Sequence, residues 1–337
     1  MSCPLSIIVP VFQAERFLEK CINSILNQSF TRFQLILVND GSTDASGDIC
    51  ERAARKDKRI TILHQQNLGV AKAVKNALAY AEGKYIGFVD SDDFIDRDMY
   101  AKLMEKADLC DIIACAWNEV RDDKVMPAPL ALPSGYYDKN KIEKLIYPTL
   151  MEGEGDIEYA ALKISRVNKI YKRELILDNL SYYKEDIKDS EDYSFYLAVM
   201  LDARSVYVLQ NEYLYNYVIH KNSTTAKPDK NYWAESLACI RNLHSISQAK
   251  GKTFLAPRID LLAARFATVA LARSAALQKR EALERAKEIL SAPEVKRGLA
   301  IPSKSKDSRV RLLLALMRKG KTGAIYALSR LYKLIKS

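Results

Sequence analysis

Short apolar runs alternate with amphipathic segments through the first 120 residues of the chain. The apolar runs have the length of buried β-strands, and the segments between them repeat apolar residues at helical spacing. Alternation of this kind predicts an α/β fold whose mostly parallel sheet carries helices on both faces. The predicted strands cover residues 5–9, 34–38, 60–63, 85–89 and 111–117, and the predicted helices cover residues 15–27, 69–81 and 99–106, with a further helix capped by Ser42, Thr43 or Asp44.

The pattern becomes less regular after residues 127–133, a proline-containing segment that we predict to be a loop. Beyond this segment, the sequence indicates helices at residues 139–150 and 191–201 and a strand at residues 206–209. From Trp233 onward nearly every segment has helical periodicity. We therefore expect an α/β domain that is followed by a helical extension.

Composition places the chain among globular proteins that bury a large core. It has 337 residues, of which 48% are hydrophobic, and six cysteines without a C-x-x-C pair. Most of these cysteines lie in apolar segments, as is typical of reduced core residues in a cytosolic protein. The first strand begins close to the first residue, so we expect no signal peptide, and no apolar run reaches the ~18 residues that span a bilayer.

The net charge of +10 favours a polyanionic partner: nucleic acid, anionic lipid or a phosphorylated small molecule. The excess is concentrated late in the chain, where Asp307 is the only acidic residue after Ile301. Residues 309–319 and 322–336 are basic and amphipathic, a pattern typical of helices that lie in a membrane interface. Helices that pack on a domain and solvate their charges have the same pattern, so both interpretations stay open.

An acidic cluster, Asp90-Ser91-Asp92-Asp93, directly follows the predicted strand at residues 85–89. Carboxylates gathered at one strand end repel each other unless a cation compensates them, and Mg²⁺ or Mn²⁺ prefers such oxygen ligands. The strand at residues 34–38 also ends in a polar stretch, Asn39-Asp40-Gly41-Ser42-Thr43-Asp44. Polar ends on two strands predict a nucleotide site at the carboxyl edge of the sheet.

These side chains predict displacement at a carbon that carries a nucleoside diphosphate leaving group. Asp40 can accept hydrogen bonds from a base or ribose, and of Asp90 and Asp92 one can bind a ribose hydroxyl while the other binds a metal ion. The ion neutralises charge on the departing phosphate, and the acceptor hydroxyl needs a general base. Glu191-Asp192, at the start of a predicted helix, is one source of that base, and Glu185-Asp186 is a competing pair.

Four stretches, in this order, resemble the family 2 glycosyltransferases, which have a GT-A fold. The stretches are residues 6–12 (SIIVPVF), 38–44 (VNDGSTD), 67–70 (NLGV) and 83–93 (GKYIGFVDSDD). Weaker matches follow at residues 168–172, 191–195, 214–217 and 223–224. The resemblance implies a GT-A domain over residues 1–225, with a donor half to about residue 120 and an acceptor half from about residue 121, and a helical, basic extension over residues 226–337.

The resemblance implies an inverting transfer of a sugar from a nucleotide sugar, most often UDP-linked, to a hydroxyl of a saccharide or lipid-linked acceptor in polysaccharide or lipopolysaccharide biosynthesis. It makes Asp192 the general base, places Glu191 beside the acceptor and gives Asp92, in the D-x-D motif, the metal ion, Mn²⁺ or Mg²⁺. The implied donor-binding residues are Pro10, Val11 and Phe12 around the nucleobase, Glu15 near the base or ribose, Asp40 on the base, Asp90 on the ribose, Asp93 at the donor sugar, and Lys72 and His220 near the diphosphate.

The chain departs from the family pattern at some of these positions. Phe12 stands where tyrosine is common, which removes a hydroxyl contact. The usual arginine after Gly69 is missing, so Lys72 or Lys75 has to replace it near the diphosphate. The late Tyr-Arg-x-Arg pattern ends here in His220, which leaves the role of that residue open.

Two other classes of protein compete with the glycosyltransferase. A nucleotidyltransferase uses paired acids and a metal on a similar sheet, but residues 9–14 contain no glycine for a phosphate loop. A nucleic-acid-binding protein would suit the charge, but no aromatic–basic motif of a known module is present. We therefore expect a cytoplasmic enzyme without a nucleic-acid partner, whose basic helices offer a peripheral contact to the inner face of the membrane.

Overall fold

The computed structural model describes residues 3–122, 124–151, 162, 164–187, 190–220, 231–274, 276–302 and 308–336. The chain divides into two compact units. One unit comprises Met1–Thr149 and Ala161–Ser223, and the other comprises Leu150–Ala160 and Thr224–Ser337. The expected domain boundary after residue 225, and the division into donor and acceptor halves, stay predictions.

The first unit is built on one mixed sheet, to which the described residues contribute ten strands. They are β1 (Leu5–Val11), β2 (Phe33–Asp40), β3 (Ile60–Gln65), β4 (Tyr85–Phe88), β5 (Phe94–Ile95), β6 (Ile112–Arg121), β7 (Lys124–Ala128), β8 (Gly135–Asp138), β9 (Lys169–Lys172) and β10 (Ser205–Val218). The strand order is β3-β2-β1-β4-β9-β6-β10-β5, while β7 pairs with β6 and β8 pairs with β10. This α/β sheet confirms the predicted fold class.

Strands β1 to β4 form a parallel half of the sheet, as predicted. β1 lies between β2 and β4, and its Ile7, Ile8 and Val9 are fully buried. Continuous apolar runs of this kind are typical of parallel strands that are covered on both faces. Because the strands are parallel, they all end at the same edge of the sheet, where Asp40 and Asp90 lie.

Strand β9 runs antiparallel to both of its neighbours, β4 and β6. Gly87 of β4 lies opposite Ile170, and Tyr85 lies opposite Lys172. The chain therefore enters β9 at the edge where it leaves β4. As a result, the residues that precede Lys169 lie beside those that follow β4.

Helices flank the sheet in the described part of the first unit. They are α1 (Leu18–Leu26), α2 (Ser46–Lys56), α3 (Val70–Leu78), α4 (Met99–Met104), α5 (Lys139–Lys141), α6 (Arg173–Leu177) and α7 (Glu191–Asp202). Helix α7 is anchored by Phe195, whose ring meets the rings of Phe88 and Tyr171 edge-on at centroid distances of 5.7 and 5.6 Å. Edge-to-face packing at these distances is favourable for aromatic rings, and it attaches α7 to β4 and β9.

Two of the predicted elements differ from the structure. The loop predicted over residues 127–133 is wrong at its start, because Pro127 lies in β7, opposite Asn118 of β6. Strand β7 pairs only with β6 among the described residues, and proline is tolerated in such an edge strand. The single helix predicted over residues 139–150 is instead α5, a π-helical turn at Ile142–Ile146 and a 3₁₀ turn at Tyr147–Thr149.

The described residues of the second unit from 231 onward form mainly helices, as expected for the extension. Its helices are α8 (Tyr232–Ala249), α9 (Ala256–Ser274), α10 (Lys279–Ser291), α11 (Pro293–Ala300), α12 (Ser308–Arg318) and α13 (Thr322–Lys336). Helix α9 packs against α8, α10, α11 and α13. In the part of the chain that the structure describes, no helix has both the length and the apolarity to cross a bilayer.

All six cysteines are unpaired, as predicted.

Candidate active site

The carboxyl edge of the parallel strands gathers several of the predicted donor-binding residues. Val11 is the last residue of β1, and it lies opposite Asn39 in β2, directly before Asp40. Pro10 precedes Val11 in the same strand, and Asp90 lies two positions after the end of β4. The topology thus brings these residues to one edge of the sheet.

Hydrogen bonds join the loop after β1 to the loop after β2. The backbone nitrogen of Gln13 donates to Ser42 Oγ at 3.2 Å, and the backbone nitrogen of Ala45 donates to Glu15 Oε2 at 3.0 Å. Phe12 begins the first of these loops and is 48% exposed. Its ring is therefore accessible to a ligand, whereas the Glu15 carboxylate contacts the start of α2.

Asp40 is buried, and its carboxylate holds the loop that leads into α3. Its Oδ1 accepts hydrogen bonds from Gln65 Nε2 at 2.7 Å and from the backbone nitrogen of Leu68 at 2.9 Å, and its Oδ2 accepts from the backbone nitrogen of Gly69 at 2.9 Å. Gly41, at φ +72°, passes so close that a Cβ there would lie 2.7 Å from the backbone nitrogen of Asn67. Asp40 thus has a structural role, and its predicted contact with the base stays a prediction.

Asp92 is paired with the predicted diphosphate-side residue, His220. The distance from Asp92 Oδ2 to His220 Nε2 is 3.0 Å, and the imidazole ring stacks on Phe17 with centroids 4.7 Å apart. The Asp92 side chain is 37% exposed. The structure therefore brings the predicted metal ligand and the histidine together.

Asp93 is almost fully buried, unlike its neighbour Asp92. Its Oδ2 accepts a hydrogen bond from the Tyr215 hydroxyl at 2.5 Å, and its Oδ1 accepts one from the backbone nitrogen of Val218 at 2.7 Å. Burial raises the pKa of Asp93 well above its usual range, and the charges of Asp90 and Asp92 add to that rise. Both of its oxygens are thus used to join the acidic turn to β10, and its predicted contact with the donor sugar stays a prediction.

Arg166 is a member of the site that the sequence pattern does not reveal. It precedes β9, and only 4% of the residue is exposed. Its Nη2 lies 3.3 Å from Asp90 Oδ1, its Nη1 lies 2.6 Å from Glu191 Oε1, and Nη1 also donates to Asp192 Oδ1. Arg166 therefore unites the predicted ribose ligand, the predicted acceptor residue and the predicted general base in one ion-pair cluster.

The carboxylates of this cluster share a single guanidinium group. Burial raises the pKa of Asp90 to about 6, a rise that Arg166 opposes and Asp192 increases. Burial also raises the pKa of Glu191 to about 7, where Asp192 adds to the rise and Arg166 again opposes it. The cluster can therefore hold a proton near neutral pH, and that proton belongs to the group of carboxylates as a whole.

The raised pKa of Glu191 predicts a specific dependence of stability on pH. Between its ordinary value of 4.5 and about 7, the folded state binds a proton that the unfolded state has released, so stability falls as the pH rises through this window. Glu191→Gln removes one of the carboxylates that share this proton, so this part of the titration is lost. We expect the melting temperature of the variant, relative to the wild type, to increase from about pH 5 to about pH 8. Thermal unfolding at both pH values measures it, with exposed Glu105→Gln as the control. A difference between E191Q and the wild type that is the same at both pH values would contradict the prediction.

Lys72 and Lys75, the alternative diphosphate ligands, project from α3 toward Glu185. Their Nζ atoms lie 3.4 and 3.1 Å from its carboxylate. Both lysines lower the pKa of Glu185 through hydrogen bonding and charge. Glu185, from the pair that competes for the role of general base, is thus bound to lysines, whereas Asp192 lies with Asp90 at the acidic cluster.

The residues at this edge fit a metal ion that binds together with a diphosphate. Within the described ranges, no group of three or more His, Cys, Asp or Glu side chains is arranged to hold an ion. Mg²⁺, however, is usually bound by only one or two carboxylates together with substrate phosphates and water. The partly exposed carboxylate of Asp92 has the chemistry of such a ligand, and its role in binding the metal stays a prediction.

Comparison with known proteins identifies the class to which this protein belongs. The model of the family described as Glycosyl transferase family 2 matches residues 6–158. The putative glycosyltransferase EpsH of Bacillus subtilis (strain 168) is 30% identical over 253 residues, which are 74% of this chain and 70% of EpsH. The chain belongs to glycosyl transferase family 2, which confirms the resemblance drawn from its motifs.

Other relatives agree with this assignment. The uncharacterized glycosyltransferase EpsJ of the same organism is 35% identical over 228 residues, which are 67% of this chain but 64% of EpsJ. The crystal structure of S. aureus TarS 1-349 in complex with UDP is similar with a TM-score of 0.67 at 21% sequence identity, over 98% of this chain and 91% of that chain. At this identity the likeness to TarS shows a shared fold, in accord with the predicted GT-A architecture.

Proposed function

We propose that this protein is an inverting glycosyltransferase. It moves a sugar from a UDP-sugar to a hydroxyl of a saccharide or lipid-linked acceptor in polysaccharide or lipopolysaccharide biosynthesis. The observation that carries the proposal is the cluster at Arg166, where Asp90 of the donor-side edge and Asp192 of α7 contact the same guanidinium group. Family membership supports the reaction class over a nucleotidyltransferase or a nucleic-acid-binding protein.

A UDP-linked donor is supported by the relative TarS. The Staphylococcus aureus protein named poly(ribitol-phosphate) beta-N-acetylglucosaminyltransferase TarS is 27% identical over 248 residues, which are 71% of this chain and 40% of TarS. TarS has been crystallised with UDP and with UDP-GlcNAc. In this protein, the exposed ring of Phe12 stacks on the nucleobase beside Pro10 and Val11, and Asp90 bonds the ribose.

In the proposed reaction, Asp192 takes the proton of the acceptor hydroxyl as its oxygen attacks the anomeric carbon. The bond from that carbon to the diphosphate oxygen breaks on the opposite face, and the nucleoside diphosphate leaves with the electron pair. The transition state has oxocarbenium character, as in glycoside hydrolysis. Because a single displacement inverts the anomeric carbon, base and leaving group must lie on opposite faces of the sugar, which suits an origin in separate elements, α7 and the turn after β4.

The diphosphate is held from several sides in this proposal. Lys72 turns from Glu185 to the phosphate oxygens, and His220 lies beside them next to Asp92. Asp92 would hold a divalent ion, Mn²⁺ or Mg²⁺, which when bound would supply positive charge to the departing diphosphate. These side chains favour departure of the nucleotide without taking part in proton transfer.

A thermal-shift panel tests the donor class. UDP, GDP, ADP and their common sugar conjugates are each added to the full chain with and without Mn²⁺, and release of nucleotide is assayed in parallel. We expect a shift for uridine nucleotides that grows with Mn²⁺, and release of UDP from one UDP-sugar. Equal shifts for all bases, or none for any, would contradict the proposed donor.

A place at the cytoplasmic face of a membrane is the second part of the proposal. In α13, Ile325 is buried, which indicates that this helix packs within its own unit. Helix α12 also packs through its buried Leu314 and Met317, but its Val310 and Leu312 are 38% and 49% exposed, and the exposed Lys319 and Lys321 follow shortly afterwards. Exposed apolar side chains close to basic ones are a combination that binds anionic lipid surfaces. This combination favours the membrane interpretation for α12.

The double substitution Val310→Ser and Leu312→Ser tests this contact. We expect wild-type protein to sediment with phosphatidylglycerol vesicles but not with phosphatidylcholine vesicles. The double variant should lose at least about tenfold in affinity, since it lacks about five apolar carbons and each buried CH₂ contributes about 0.8 kcal/mol. Leu109→Ser is the control, because Leu109 is 61% exposed in the other unit. Equal sedimentation of all three proteins would remove the membrane claim and leave the catalytic one intact.

A further inference from the structure

The backbone on either side of Arg166 is held by two buried side chains of β9. Lys169 donates from Nζ to the carbonyl oxygens of Ser165 at 3.2 Å and Val167 at 3.3 Å. The Tyr171 hydroxyl donates to the carbonyl oxygen of Arg166 at 3.1 Å. A buried ammonium group is costly unless it is fully hydrogen-bonded. The bonds that Lys169 makes therefore fix the backbone carbonyl groups on either side of Arg166.

The turn from Arg166 into β9 is also fixed by Asn168. This residue has a left-handed backbone, with φ +57°, which asparagine tolerates better than most residues. Its side-chain amide donates to the carbonyl oxygen of Cys115 in β6, and the backbone nitrogen of Cys115 donates to the carbonyl oxygen of Asn168 at 3.0 Å. Arg166 therefore extends from a rigid support at the sheet edge.

The guanidinium group extends in two directions from this support. Nη2 contacts Asp90, and Nη1 contacts Glu191 and Asp192 while also donating to the Tyr183 hydroxyl at 3.1 Å. A planar group with separate nitrogens can bond two elements at once, whereas the single ammonium of lysine cannot reach both in the same geometry. The contacts thus depend on the shape of the group as well as on its charge.

We propose that Arg166 is a positioning residue that holds the Asp192 carboxylate in the orientation for proton transfer and ties it to the donor site through Asp90. This inference rests on the proposed function and names the group that aligns its two halves. Without the guanidinium, the carboxylates of Glu191 and Asp192 repel each other, and Asp192 turns away from the acceptor. A displacement of about 1 Å at a reacting group costs on the order of 10²-fold in rate.

Three variants of the full chain test the proposal by kinetics with the UDP-sugar that the wild type uses. We expect Arg166→Gln to lower kcat by about 10²-fold and Arg166→Lys by about 10-fold, because lysine restores the charge without the fork. We expect KM for the donor to stay within about threefold in both variants, since interactions that bind the donor equally in the ground state and the transition state are unaffected. The matched control is Arg59→Gln, whose arginine pairs with Asp57 at 2.7 Å, away from the cluster.

Chemical rescue separates positioning from a general structural role. Arg166→Ala leaves space for a small guanidinium compound, and added methylguanidinium should restore part of kcat, while added methylammonium should not. A structural role would lower the melting temperature and all kinetic constants together, without rescue. If Arg166→Gln does not fold, Arg166→Lys and the rescue of Arg166→Ala decide the question.

The outcomes distinguish this inference from the proposed function. An active wild type with an equally active R166Q overturns the role of Arg166 and leaves the glycosyltransferase proposal in place. A wild type that releases no nucleotide from any nucleotide sugar overturns both. An active wild type, a selective loss of kcat in R166Q, unchanged activity in R59Q and rescue by methylguanidinium support the positioning role.

Discussion

Asp192→Asn should lower kcat by about 10²–10⁴-fold while UDP binding stays within about threefold of wild type. The amide keeps the size of the side chain and can still contact the guanidinium of Arg166 through its carbonyl oxygen. It cannot accept a proton from the acceptor hydroxyl, so the loss falls on the chemical step. Single-turnover transfer measures the rate, and the thermal shift with UDP measures binding.

Asp186→Asn is the matched control for this substitution. Asp186 belongs to the competing acidic pair and is exposed, whereas the Asp192 side chain is 29% exposed and in contact with Arg166. The same chemical change at Asp186 should leave turnover unaffected. A large loss in D186N together with near-normal transfer by D192N would move the general base to the other pair.

The parallel half of the fold could be predicted because its physical cause is local. Strands β1, β2 and β4 are covered on both faces, so each reads as a continuous apolar run that ends in polar residues. Parallel strands end at one edge, and this rule alone predicts that Asp40 and Asp90 lie together. The residues of a strand, however, do not indicate whether it runs parallel or antiparallel to its neighbours.

For that reason, the sequence alone does not predict that Arg166 lies in the site. Its position beside Asp90 follows from the antiparallel direction of β9, and no local pattern distinguishes it among the 52 lysines and arginines of the chain. The signal in the sequence is the short apolar pattern of β9. A strand at these residues that runs antiparallel to β4 places the residues before Lys169 beside the end of β4.

Burial separates residues that the sequence presents as equivalent. Asp92 and Asp93 are neighbours in one motif, yet Asp92 is partly exposed and paired with His220, while Asp93 is buried under Tyr215. Asp40 is likewise turned to the backbone of the next loop. Side-chain type predicts where an acidic site lies, but the packing around each carboxylate decides which of them can meet a ligand.

Asp92→Asn should abolish the effect of Mn²⁺ on UDP binding and lower kcat by about 10²-fold or more. A bound cation supplies several kcal/mol of charge stabilisation to a departing diphosphate, and each 1.36 kcal/mol corresponds to about tenfold in rate. Asp92 is the partly exposed carboxylate of the acidic turn that does not contact Arg166, since Asp93 is buried and Asp90 pairs with Arg166. Thermal shifts with UDP over a range of Mn²⁺ concentrations measure the first effect, and nucleotide release measures the second.

His220→Gln is the informative companion to this variant. It removes the imidazole that pairs with Asp92 but keeps the carboxylate, so a response to Mn²⁺ should persist even where turnover is reduced. The two variants together separate loss of the metal ligand from loss of its neighbour. If D92N responds to Mn²⁺ as the wild type does, another group binds the ion, and the prediction that Asp92 is the metal ligand is wrong.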